Sequence, residues 1–111
     1  MATAPGTGRK IRRSEVVRKA GEACERAVQS PPRRNPHRVH FGSDGQLTRY
    51  SAEFLVKGGT LEVRVGRTMA DGEFVVLDTH GFAITKDGSN SSAIGNHIAN
   101  TFIERGIPVA A

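Results

Sequence analysis

A chain of 111 residues with 37% hydrophobic content, no Trp and one Cys has room for a single domain around one modest core. The lone Cys24 excludes an internal disulfide, and no apolar run reaches the roughly 18 residues that a membrane-spanning helix needs. The net charge of +5 is segregated: residues 1–38 hold ten Lys/Arg against three acids (+7), and residues 39–111 hold six against eight (−2). Such asymmetry bears on partners and not on fold, and favours a polyanion or an acidic surface.

Residues 1–13 combine Gly, Pro and Thr with the cluster Arg9-Lys10-Ile11-Arg12-Arg13 and read as a flexible basic arm. They contain no apolar h-region, so the expectation is a cytoplasmic protein, an organelle transit peptide being the lesser alternative. Ser14 is placed to N-cap a helix, with Glu15 in its first turn. Val16, Ala20, Ala23, Cys24, Ala27 and Val28 recur at helical spacing as one apolar stripe, which makes Cys24 a small core residue. Glu15–Lys19, Arg18–Glu22 and Glu22–Arg26 stand four apart on the wet side. Pro31-Pro32 ends the helix near Ser30.

A stiff connector bearing Arg33 and Arg34 leads to four strand-like runs: 37–42, 46–57, 60–67 and 73–85. Turn chemistry separates them. Read as a two-residue hairpin loop, Gly58-Gly59 sets Val56 opposite Leu61, Phe54 opposite Val63 and Ala52 opposite Val65 on one face. Glu53 then meets Arg64, and Leu55 meets Glu62, on the other. A slip of one residue mixes the two sets, so the pattern selects this register. The run Phe74–Leu77 is apolar on both faces and suits an interior strand, with Gly81 expected to mark a bulge or bend or to divide the run into two strands. A second helix is predicted from about Ser91 to Arg105, with Ala93, Ile94, Ile98, Thr101 and Phe102 on its apolar side. Gly106 and Pro108 stop it. Gly95 inside that helix suggests close approach to the sheet.

The predicted architecture is an α+β two-layer sandwich, a four- to five-stranded antiparallel meander flanked by two helices in the order α-β-β-β-β-α. It comprises one domain, 14–111, behind the arm 1–13. Four strands followed by a helix is similar in order to the whirly and transcriptional-coactivator single-strand binders. That likeness is of topology alone, without a shared motif.

The candidate chemistry is electrostatic. Arg9, Lys10, Arg12, Arg13, Arg33, Arg34 and Arg38 are the candidate phosphate contacts, in a segment that prefers Arg, the bidentate binder. Arg49 and Arg64 extend the set onto the wet sheet face, although Glu53 and Glu62 sit among the bases and stacking aromatics are scarce there. Lys86, Ser89, Ser91 and Ser92 at the start of the second helix form a weaker anion site, without P-loop spacing. Asp78 and His80 share a strand face that His97 would meet if that face is the covered one. Lacking a further ligand or a nucleophile, the trio assigns neither a metal nor a general base. His37 and His40 are three apart, point to opposite faces and do not form a ligand pair. No cofactor is implied. The reading is a non-enzymatic nucleic-acid-associated accessory protein. Its alternative is a small protein-binding module, either a mobile-element or phage inhibitor of a host system or an assembly subunit of a virion or other large particle. A homodimer stays open, and no membrane partner is implied.

Overall fold

A computed structural model describes residues 11–29, 36–43, 48–84 and 90–110. The elements are β1 (Ile11–Arg12), α1 (Arg13–Gln29), β2 (His37–Ser43), β3 (Arg49–Lys57), β4 (Thr60–Thr68), β5 (Phe74–Ala83), α2 (Ser91–Glu104) and β6 (Val109–Ala110). Strands β2 to β5 form an antiparallel meander in chain order, and both helices lie on one of its faces. This is the α+β sandwich that the periodicities imply.

The hairpin register is as the pleat demands. Val56 faces Leu61, Phe54 faces Val63 and Ala52 faces Val65, while Glu53 meets Arg64 and Leu55 meets Glu62. The apolar set packs under the helix stripes to give a core of Val16, Ala20, Ala23, Cys24, Phe41, Ala52, Phe54, Leu61, Val63, Val65, Ile94, Ile98, Ala99 and Phe102. Each fully buried large side chain among these contributes on the order of 1.5–3 kcal/mol. Phe41 and Tyr50 both meet the Phe102 ring edge-on, at 6.1 and 5.9 Å. In α2 the buried residues include Ile94, Ile98, Thr101 and Phe102 as expected; Ala93 is exposed, and Ala99 takes a place in the core.

Several expectations are corrected. Ile11 is 1% exposed and pairs with Val109 in a short parallel sheet, β1–β6, so the folded body begins before Ser14. One buried β-branched side chain is enough to draw the root of the basic segment into the fold. Helix α1 accordingly starts at Arg13 and takes in Ser14. Arg18 pairs with Glu22 and Glu15. Lys19 instead donates from Nζ to the His40 carbonyl at 3.0 Å. Strand β5 is an edge strand, not an interior one, and Val75 and Val76 are exposed there. Its irregularity lies at Leu77 and not at Gly81: Asp78 pairs with Val65 and Val76 with Gly66, which leaves Leu77 as the extra residue. Gly66 makes that bulge feasible, because a Cβ there would stand 2.0 Å from the Val75 carbonyl oxygen. A second bulge at Phe41 in β2 turns that ring into the core. Gly95 does admit a close neighbour, but the neighbour is α1: a Cβ at 95 would lie 2.6 Å from Val17 Cα.

Candidate nucleic-acid interface

Of the candidate phosphate contacts, Arg9, Lys10, Arg33 and Arg34 lie outside the described residues, as do Lys86 and Ser89. Arg12 is exposed on β1. Arg13, one residue further, is engaged: Nη1 donates to Asn96 Oδ1 at 2.8 Å and Nη2 to Asn100 Oδ1 at 2.9 Å. Those partners are neutral amides, so the contact ties α1 to α2 without cancelling the charge.

The outer sheet face is different. The register sets Arg38, Glu53 and Arg64 side by side across β2, β3 and β4. Arg38 donates from Nε and Nη2 to Glu53 Oε2 at 2.9 and 2.8 Å, and from Nη1 to the Gly72 carbonyl at 2.9 Å. Its guanidinium also lies 5.1 Å from the centre of the Phe74 ring. Arg64 closes on Glu62, with Nη2 at 2.6 Å from Oε2, and reaches Glu53 Oε1 at 3.9 Å. Burial pushes the Glu62 carboxyl up, but the hydrogen bond and charge of Arg64, joined by Lys57, outweigh it and hold the group below its ordinary value. Glu53 is 7% exposed at its side chain and serves both arginines, so Arg38 and Arg64 are spent on the protein's own acids. Arg49 at the edge of this face is exposed and has no ion pair among the described residues. Arg67 stacks its guanidinium 5.8 Å from the Tyr50 ring centre.

Beneath these side chains runs a polar chain that the residue pattern did not single out. His40 Nδ1 lies 2.7 Å from Ser51 Oγ, and Ser51 Oγ lies 2.9 Å from Thr68 Oγ1. Burial first, then the positive charges of Arg49, Arg38 and Lys19, depress the His40 pKa below its usual value. The signal for it was present, since His40 and Ser51 fall opposite one another once the β2–β3 register is known.

Ser91 opens α2 and Ser92 follows. The N-cap residue, Asn90, makes no side-chain capping bond and instead donates from Nδ2 to the Ala83 carbonyl at 2.7 Å. The trio Asp78, His80 and His97 does come together. Asp78 Oδ2 lies 3.0 Å from His97 Nε2, and the His80 ring packs 4.6 Å from both His97 and Phe82. Among the described residues no group of three or more His, Cys, Asp or Glu side chains is disposed to hold a metal ion. Cys24 is buried in the core, its thiol pushed up to about 11 by burial, with Glu25 adding to the effect. No helix among the described residues is long and apolar enough to cross a membrane. No family model, curated protein or solved structure matches the chain.

Proposed function

We propose that the protein is a non-enzymatic nucleic-acid-associated accessory protein that holds phosphate backbone through the basic segments flanking α1. The distribution of charge carries this reading. The described residues hold eleven Lys/Arg against nine Asp/Glu, +2, while the remaining residues hold five against two, +3, which together make the +5 of the chain. Residues 1–10 and 30–35 contribute Arg9, Lys10, Arg33 and Arg34 without a single acid. They join the body at Ile11 and Gln29, on opposite ends of the 17-residue α1, whose length is about 25 Å at 1.5 Å per residue. Along one strand that distance spans about seven phosphates. Arg12, exposed beside the first segment, adds a fifth charge. The outer sheet face, with Arg38 and Arg64 already paired to Glu53 and Glu62, has no part in the proposed contact.

The experiment compares the full chain with an R9A/K10A/R33A/R34A variant on generic duplex DNA, single-stranded DNA and RNA over a salt series. Each duplex phosphate neutralised contributes about −0.9 to the slope of log K against log salt. Removing four contacts should therefore flatten the slope by about 3 to 4 and weaken binding equally for all sequences. Failure of the wild-type chain to bind any of them at low salt refutes the proposal. It would move the weight to a protein-binding module, the reading that exposed Val75, Val76 and Ile103 favour.

A further inference from the structure

The two edges of the meander are treated differently. Strand β2, seven residues long, is entered from Pro36, carries Arg38 and is bulged at Phe41; its His40 carbonyl is taken by Lys19 Nζ. Those are the devices that blunt a sheet edge. Strand β5, ten residues long, contains no Lys, Arg or Pro and pairs with β4 in unbroken register from Asp78 to Ala83. At its Leu77 bulge the carbonyl is closed by Arg105 Nη2 at 2.7 Å. Its one acid, Asp78, is answered by His97. The Ala83 carbonyl at its end is taken by Asn90 Nδ2 at 2.7 Å. Between these two capped carbonyls the backbone groups at Thr79 and Gly81 face no further strand among the described residues and are an open template, with exposed Val75 and Val76 beyond the bulge.

We infer that β5 pairs antiparallel with β5 of a second copy of this chain, about a two-fold axis through Thr79. Residues directly opposite in an antiparallel pair share a face. A two-fold that keeps both helix layers on one side must therefore pass through a residue position. An axis through His80 sets that ring against itself and Asp78 against Phe82. An axis through Gly81 sets His80 against Phe82. The Thr79 axis alone gives complementary pairs: Asp78 of each copy faces His80 of the other, once on each side of the axis. Asp78 Oδ2 is occupied by His97, while His80 has no hydrogen bond to its ring nitrogens among the described residues. The bulged Leu77 falls opposite Gly81, which has no side chain to oppose it, and Val75 and Val76 fall beside Ala83 and Phe82. The joined sheet has eight strands with four helices on one face. The exposed, uncharged Ala93 shares the His97 face of α2 above the seam.

Sedimentation velocity of the full chain across the micromolar range should give twice 11.9 kDa. Thr79→Cys tests the axis, because the two Cα atoms would stand about 5 Å apart, within disulfide reach. Ala83→Cys is the control, since eight residues of offset, about 27 Å, separate the copies there. Under mild oxidation T79C should give a disulfide-linked dimer and A83C should form no intermolecular disulfide, with buried Cys24 silent in both. His80→Asp, which sets carboxylate against carboxylate, should weaken the dimer at least about ten-fold, read by the same sedimentation experiment. A monomer at every concentration, or equal cross-linking at 79 and 83, overturns the pairing.

Discussion

Gly95→Ala tests the packing of the two helices most sharply, because it sets two effects of opposite sign against each other. Alanine in a helix interior gains up to about 1 kcal/mol over glycine. At 95, however, the new Cβ would stand 2.6 Å from Val17 Cα, 3.1 Å from its Cγ2 and 3.2 Å from its Cβ. Carbon atoms rest at about 3.5–4.0 Å, so the shortfall is roughly 1 Å, and the nearest atom belongs to backbone that cannot rotate away. The helices must part. A gap of 0.5–1 Å forfeits about a quarter to a half of each dispersion contact across it, and Val16, Ala20, Ile94 and Ile98 all lie in that core. Overpacking of this kind costs about 1–3 kcal/mol, so G95A should destabilise by about 1–2 kcal/mol after the propensity gain. Gly21→Ala is the internal reference. Its Cβ would meet Ser91 at 3.8 Å, an ordinary contact, and the variant should gain about 0.5–1 kcal/mol. Equilibrium urea unfolding followed by circular dichroism reads both, with unchanged m-values. If G95A stabilises as G21A does, close helix approach is not what keeps a side chain from position 95.

Other outcomes follow from the outer face and the core. Because the His40 pKa is depressed in the folded state, the unfolded chain takes up the proton first as pH falls. Stability contributed by neutral His40 is full above its unfolded pKa of 6.5 and declines as pH drops below that value toward the folded one. A pH series of unfolding midpoints should show that decline, and His40→Asn, which keeps a neutral hydrogen-bonding side chain beside Ser51, should flatten it. Glu53→Gln removes the charge shared by Arg38 and Arg64 and should cost about 1–3 kcal/mol in denaturant unfolding, less than a fully buried pair because Arg38 is partly solvated. A loss below about 0.3 kcal/mol would show the network to be energetically idle. Cys24, buried and with its thiol raised to about 11, should be alkylated at pH 8 only as fast as the chain unfolds, a rate that denaturant must accelerate.

Short-range chemistry was legible without coordinates. The period-2 alternation around Gly58-Gly59 pointed to the β3–β4 register, since a slip of one residue sets apolar side chains opposite charged ones. The 3.6-residue stripes determined which faces of α1 and α2 are apolar. The pairing of Glu53 with Arg64 followed from the same register, and with it the weakness of the sheet face as a phosphate platform. Only the tertiary structure decided the features that depend on which elements become neighbours. Strand order put the apolar β5 at an edge, where among the described residues β4 is its one strand neighbour. Helix placement gave Gly95 to Val17 rather than to the sheet, and brought His97 onto Asp78 and His80. Burial of Ile11 against the chain's far end drew the root of the basic segment into the fold. Local pattern specifies what each segment can bury; which partner buries it is settled by the whole chain competing for one core.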